Sequence, residues 1–217
     1  MLAINPIWDI TPSDAVDLQK RLSQEVVRKS ELATVETVAG IDTGYSKGMA
    51  KAAVVSLKYP SLEPLDQAVS LRPVDFPYIP GLLSFRETPV ILQAFEKLKQ
   101  TPDLLIIDGH GLAHPRRFGI ACHIGLLLGI PSIGCAKTLL VGEYDEPCPE
   151  QGGFSYLKDQ GDIIGAVLRT RSKVKPVFVS IGHSVDLRDC IHFVLSCCRG
   201  FRLPETTRRA DRLAVIA

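Results

Sequence analysis

A chain of 217 residues, 46% apolar and 23% charged, has the balance of a folded globular protein with length for one well-filled core, and not that of a disordered or fibrous one. Its formal net charge of +1 gives no whole-molecule attraction for polyanions, so any nucleic-acid footprint has to be a local patch. No stretch approaches the ~18 uninterrupted apolar residues of a membrane span, and the opening MLAINPIWDITPSD lacks the basic start and apolar core of a signal peptide. The six cysteines, Cys122, Cys135, Cys148, Cys190, Cys197 and Cys198, include no C-x-x-C pair, so reduced thiols and a cytoplasmic address are expected.

In chain order, an extended start leads to Thr11, Pro12 and Asp14, cap chemistry ahead of a helix predicted from about Ser13 to Ser30, where Leu18, Leu22 and Val26 recur at helical spacing. The segments TVAGIDTGY, KAAVVSLKY and DQAVSLRPV read as three short strands. Their brief connections, one rich in glycine and one running from Pro60 to Pro64, favour an antiparallel meander. A helix from Thr88 to Lys99, the apolar strand LLII, a helix from about Ile120 to Leu128 and the apolar run PSIGC follow. Strands apolar on both faces, alternating with helices, imply parallel pairing under a helical cover. A strand pair, DIIGAVLRT and KPVFVSI, a helix from Ser184 to Cys198 and the basic tract RGFRLPETTRRADRLAVIA complete the chain. The predicted fold class is α/β: a central mixed sheet, its first three strands antiparallel and later ones parallel. No repeat or linker divides it, so residues 1–217 read as a single domain.

Asp42 follows VAGI and Asp108 follows LLII, so each carboxylate sits in or at the end of a strand with apolar neighbours. A buried carboxylate is costly unless paired or metal-bound. Either Asp alone reads as a turn or cap residue, the better reading for Asp108 ahead of Gly109, but two on adjacent strands form an oxygen donor set suited to Mg²⁺ or Mn²⁺. Glu87, in SFRET ahead of a helix at Pro89, is either a helix N-terminal charge or a third carboxylate at the same sheet edge. His110 and His114 are four apart, but Gly109, Gly111 and Pro115 oppose the helix that zinc ligation at this spacing needs. The glycine-rich turn around them could instead bring backbone N–H groups to a phosphate, with Arg116 and Arg117 as cations, or be a loop with solvated arginines. GIPSIGCAKT fails as a P-loop because Cys135 follows Gly134, while Lys137 remains either a phosphate contact or a surface lysine. Tyr78, stiffened by Pro77 and Pro80, suits a wedge between bases or an anchor to the core. Arginines 199, 202, 208, 209 and 212 could track a nucleic-acid backbone or solvate a helix.

The segments VAGIDTGY, PYIPGLLSFRE, DGHGLAHPRRFGIACHIGLLLGIPSIGCAKTLLVG and RLPETTRRAD, in this order and spacing, resemble the motif series of the endonuclease V family from about Val38 to Asp211. The resemblance implies a ribonuclease H-like fold, with helices on both faces of the sheet. It implies Mg²⁺, with Mn²⁺ as a substitute, held by Asp42 and Asp108, an acidic cluster completed by Glu87, and Lys137 steadying phosphate near the cut. It further implies that Tyr78 fills the gap left by an extruded base, that Gly81 and Gly109 let backbone line the base pocket, and that His114 helps hold the substrate strand near the site. The implied substrate is DNA containing deoxyinosine or another deaminated base, with RNA as the alternative. The implied reaction is hydrolysis of the second phosphodiester bond 3′ to the lesion by metal-activated water, leaving 3′-hydroxyl and 5′-phosphate, by a monomer. The chain departs from the pattern at Cys122, Cys135 and Thr206, and Asp211 stands where the family carries Asp or His, which assigns it no role. The rival readings are a metal-dependent phosphatase using the same carboxylates and a non-catalytic nucleic-acid binder on the same scaffold.

Overall fold

The computed structural model describes residues 8–216, so much of the extended start expected before Thr11 lies outside the described residues. One eight-stranded sheet organises them, in the order β3-β2-β1-β4-β5-β8-β7-β6. Strands β1 (Thr37–Ser46), β2 (Met49–Lys58) and β3 (Pro64–Pro73) form the antiparallel meander. β4 (Leu104–Ile107) then pairs parallel to β1, and β5 (Ser132–Ala136) parallel to β4. β8 (Val177–His183), β7 (Asp162–Leu168) and β6 (Phe154–Asp159) extend the sheet antiparallel. The mixed sheet and its first five strands match the expectation; β6 was not anticipated, because FSYLKD alternates without an apolar core.

Helices cover both faces. α2 (Leu83–Phe95) and α3 (Ile120–Leu128) pack Val90, Ile91, Ala94, Ile120 and Ile124 on one face, against Ala39, Ile41, Leu105 and Ile107. α4 (Leu187–Ser196) and α5 (Glu205–Ala214) pack Cys190, Phe193, Val194 and Ala210 on the other, against Val38, Leu104, Ile106 and Ile133. The two sets alternate along β1 and β4, as the two-residue period of a strand requires. α1 (Pro12–Leu22), capped by Thr11, seats Ala15, Leu18 and Leu22 against Phe85, Leu112, Phe118 and Cys122.

Helix boundaries differ from expectation, and one helix was not expected. α1 gives way after Leu22 to a short 3₁₀ turn and does not reach Ser30. α2 begins at Leu83 and carries Pro89 as its seventh residue, inside the helix, where the missing N–H leaves the Phe85 carbonyl without its helical donor. Glu87 therefore lies inside a helix and not ahead of one. α5, beneath the basic tract, was not predicted, because its buried face is built from Thr206, Thr207, Ala210 and Ala214 and carries little hydrophobic signal. All six cysteines are free thiols, and only Cys148 is exposed. No helix among the described residues is long and apolar enough to cross a membrane.

Candidate active site

Strand alternation explains where the charges emerge. Val38 on β1, Leu104 and Ile106 on β4, and Ile133 and Cys135 on β5 all enter the core shared with α4 and α5. Continuing each series in steps of two residues reaches Asp42, Asp108 and Lys137. β4 has ended at Ile107 and β5 at Ala136, so both charges project where pairing stops, beside an Asp42 still held in the longer β1. The Asp108 N–H donates to Ile41 O at 3.1 Å, fixing the two carboxylates side by side.

The third carboxylate comes from α5, which lies directly on β1. A Cβ on Gly40 would stand 2.1 Å from the Thr206 carbonyl carbon, so only a residue without a side chain lets the helix approach this closely. Gly40 and Asp42 share one face of β1, which turns Asp42 toward α5 and its Asp211. Oxygens of Asp42, Asp108 and Asp211 all lie within 4.8 Å of one another. The Lys137 ammonium is 2.6 Å from Asp108 Oδ2 and 3.5 Å from Asp211 Oδ1, so one cation faces three carboxylates. Burial, and then the Asp108 charge, push the Asp42 carboxyl up to about 6. Burial raises Asp108 as well, with Lys137 opposing. Burial alone would lower the Lys137 ammonium, but its contact with Asp108 and the charges of Asp42 and Asp211 outweigh that and raise it. Hard oxygen donors carrying surplus negative charge fit a divalent cation of the Mg²⁺ or Mn²⁺ type.

Glu87 stands beside this group, near enough for the charges of Asp42 and Asp108 to act on it. It rises from α2 on the opposite face of the sheet and accepts a hydrogen bond at 3.1 Å from the hydroxyl of Tyr45, whose position on β1 has the opposite parity to Asp42. Burial, despite that hydrogen bond and reinforced by Asp42 and Asp108, pushes the Glu87 carboxyl up to about 8.

A cavity of about 270 Å³ adjoins the carboxylates, lined by Tyr78, Gly81, Ser84, Gly109, His114 and Thr138 among others. Gly109 follows Asp108 and Thr138 follows Lys137, so two peptide units join cavity wall to acidic cluster, each spanning ~3.8 Å between Cα atoms. Tyr78 is 71% exposed beside it, free of the core anchoring that was its alternative use. The His114 Nδ1 accepts the Arg116 backbone N–H at 3.1 Å, so Nε2 carries the proton and donates to Gly81 O at 3.0 Å. Burial, and then the Arg116 charge, push this imidazole down to about 4, leaving it neutral at physiological pH.

The arginines are more committed than the sequence suggested. Arg116 donates to Gly81 O and Gln19 Oε1, and Arg117 pairs with Asp159 at 2.7 Å. Arg202 donates to the Lys137 and Pro176 carbonyls, holding the segment that carries Lys137. Arg199 donates to Pro60 O, while Arg208 and Arg209 pair with Glu205. Among the five C-terminal arginines, then, four are occupied within the fold.

A family model described as Endonuclease V matches residues 20–212. The chain belongs to the Endonuclease V family. It is 54% identical over 207 residues to Endonuclease V of Roseiflexus sp. (strain RS-1), a match covering 95% of this chain and 93% of that one. It superposes on the crystal structure of Endonuclease V from Streptomyces avermitilis with a TM-score of 0.92 at 40% identity, covering 97% and 94% of the two chains. The Ciona intestinalis Endonuclease V, solved with a 24mer DNA containing an inosine followed by a ribo-adenosine, gives a TM-score of 0.80 at 26% identity over 93% and 95%. Endonuclease V proteins are nucleases, and the ribonuclease H-like arrangement implied by the resemblance is the one observed. Of the anticipated residues, Asp42, Asp108 and Lys137 converge, and Tyr78, Gly81, Gly109 and His114 border one cavity. Asp211, given no role from sequence, joins Asp42 and Asp108, and Glu87 lies near enough for the charges of both to act on it. The available signal was the spacing of Thr206, Ala210 and Ala214, which lays a helix against β1 with Asp211 at its edge.

Proposed function

We propose that the chain is a divalent-cation-dependent DNA-repair endonuclease that hydrolyses the second phosphodiester bond 3′ to hypoxanthine. The observation that carries this reading is the single-peptide step from cavity to carboxylates at both Asp108–Gly109 and Lys137–Thr138. A base extruded into the cavity leaves its own backbone phosphates at the carboxylates, with the cut displaced toward one side. The three carboxylates, Asp42, Asp108 and Asp211, are the residues that would hold Mg²⁺ or Mn²⁺. Such a cation lowers the pKa of bound water and offsets charge at phosphorus and the leaving oxygen.

The chain's own groups do the rest. Lys137, charged throughout the neutral range, contacts a non-bridging phosphate oxygen once the carboxylates are engaged elsewhere. Glu87 keeps Tyr45 oriented at the far side of the cluster. Tyr78 stacks in the space an extruded base vacates, which lowers the unstacking cost. Backbone at Gly81 and Gly109 approaches the base edge, where hypoxanthine bears a carbonyl and adenine an amino group. Water's oxygen bonds to phosphorus, the P–O3′ bond breaks, and the departing oxygen takes a proton, giving 3′-hydroxyl and 5′-phosphate. We further read residues 1–217 as one domain, a reading supported by the continuous sheet, and the protein as a cytoplasmic monomer.

The test uses end-labelled DNA, RNA and DNA with one ribonucleotide after the lesion, each with a single inosine, in Mg²⁺, Mn²⁺ or EDTA. A cation-dependent nick one nucleotide beyond inosine is expected. Cleavage of free nucleotides in its place returns the phosphatase reading, and binding without cutting in any cation returns the binder.

A further inference from the structure

Gln19 lies one residue before the span matched by the family model, on a helix that contributes nothing to the acidic cluster. It is nevertheless only 1% exposed and uses its whole amide. Its Nε2 donates to Gly81 O at 3.0 Å and to Phe118 O at 3.1 Å, and its Oε1 accepts from Arg116 Nε at 2.5 Å. Exchanging the amide's oxygen and nitrogen would set acceptor against two carbonyls and donor against a guanidinium, so the network admits one orientation. Burying a glutamine side chain loses rotamer freedom and desolvates a polar amide, costs that only a full set of partners offsets.

Three donors converge on the Gly81 carbonyl: Gln19 Nε2 at 3.0 Å, His114 Nε2 at 3.0 Å and Arg116 Nη2 at 2.7 Å. The N–H of the same peptide unit, that of Leu82, donates to Ile79 O at 2.9 Å. Both ends of this one peptide plane are therefore fixed. Gly81 itself holds φ +80°, and a Cβ there would stand 2.7 Å from Arg116 Nη2, so the donors are packed against the space a side chain would take. Phe118 O, the other carbonyl that Gln19 holds, belongs to the loop between β4 and α3. Gln19 thus ties the segment carrying Tyr78 and Gly81 to the segment carrying Gly109 and His114, the two walls of the cavity.

We infer that Gln19 is a positioning residue for the base cavity, holding the Gly81–Leu82 peptide plane and the distance between the two walls. It lines the cavity with its amide engaged by Gly81, Phe118 and Arg116, and so acts through Gly81. The assignment of the cavity to a base rests on the function proposed above, but the clamp itself is measurable without substrate.

The experiment compares wild type with Gln19→Met, which keeps the volume and removes all three hydrogen bonds, and Gln19→Glu, which keeps Arg116 paired but turns a donor into an acceptor. Hydrogen exchange at the Leu82 amide should be slow in wild type and at least about tenfold faster in either variant, with β4 and β5 unchanged. In nicking of inosine DNA, KM should rise about tenfold while kcat and Mn²⁺ affinity stay within about twofold, since the carboxylates are untouched. Unchanged Leu82 exchange overturns the inference, as does a fall in kcat and Mn²⁺ affinity matching the change in KM, which would mark a general loss of stability. Should both variants fail to fold, rapid Leu82 exchange in wild type overturns it and slow exchange supports it. If wild type leaves inosine DNA uncut, the functional reading fails while the exchange result still decides the clamp.

Discussion

Replacing Asp211 with Asn removes one charge from the cluster while preserving its shape, and the geometry sets the size of the effect. The Lys137 ammonium, 3.5 Å from Asp211 Oδ1, marks where positive charge is stabilised. Two unit charges at that separation attract by about 1.2 kcal/mol at the dielectric of water and about 4.7 kcal/mol at an effective value near 20. The Asp211 side chain is 53% exposed, which places the interaction near the lower figure, about 1.5 kcal/mol. D211N should therefore weaken Mn²⁺ binding by about tenfold. Asp108, whose side chain is only 11% exposed, should lose more on the same change. Titration of Mn²⁺ by its electron paramagnetic resonance signal counts bound ion directly, without substrate or turnover. A D211N affinity equal to wild type, or a D108N loss smaller than that of D211N, would refute the three-carboxylate site.

Tyr78→Ala should reduce the preference for inosine over undamaged strands more than it slows cutting, with stability within about 0.5 kcal/mol because the ring is exposed; equal loss on both strands removes the wedge role. Gly40→Ala should push α5 off β1, costing about 1–3 kcal/mol in urea unfolding and weakening Mn²⁺ binding through Asp211, and unchanged values of both would contradict the close approach. His123 is held down to about 3 by burial among Trp8, Phe85 and Phe118, whereas an unfolded histidine titrates near 6.5. The unfolded chain binds that proton first, so its contribution to stability is complete above about pH 6.5 and is lost as pH falls toward 3, at up to about 1.4 kcal/mol per pH unit. His123→Phe should flatten that slope in denaturant titrations from pH 7 to 4, leaving the share of His110 and His114, which burial shifts the same way.

The sheet was legible in the sequence because its central strands are short apolar runs with sharp ends. LLII begins and stops where β4 does, and Asp108 is visible at once as the charge that ends it. Tyr78 was legible as a stiff, exposed aromatic because the prolines around it act locally. What was hidden depends on contacts between distant segments. α5 presents threonine and alanine to β1, so its burial is set by Gly40 and not by its own hydrophobicity. Glu87 was legible as a carboxylate near Asp42 and Asp108, but its element was not: α2 starts at Leu83, so the side chain approaches from a helix and not from the strand edge. Arg116 and Arg117 looked like solvated or phosphate-binding cations, yet their partners, Gln19 and Asp159, lie far away in sequence on either side.

Because α5 follows all eight strands in chain order, the acidic cluster takes its third carboxylate from a segment made after the sheet. Asp42 and Asp108 are joined as soon as β4 pairs with β1, but Asp211 arrives only when the C-terminal helix docks on Gly40. A chain synthesised only as far as β8 carries two of the three carboxylates and lacks the helix that supplies the third. Assembly of the cluster is thereby tied to docking of α5, and loss of that helix would remove Asp211 while leaving the residues of the sheet in place.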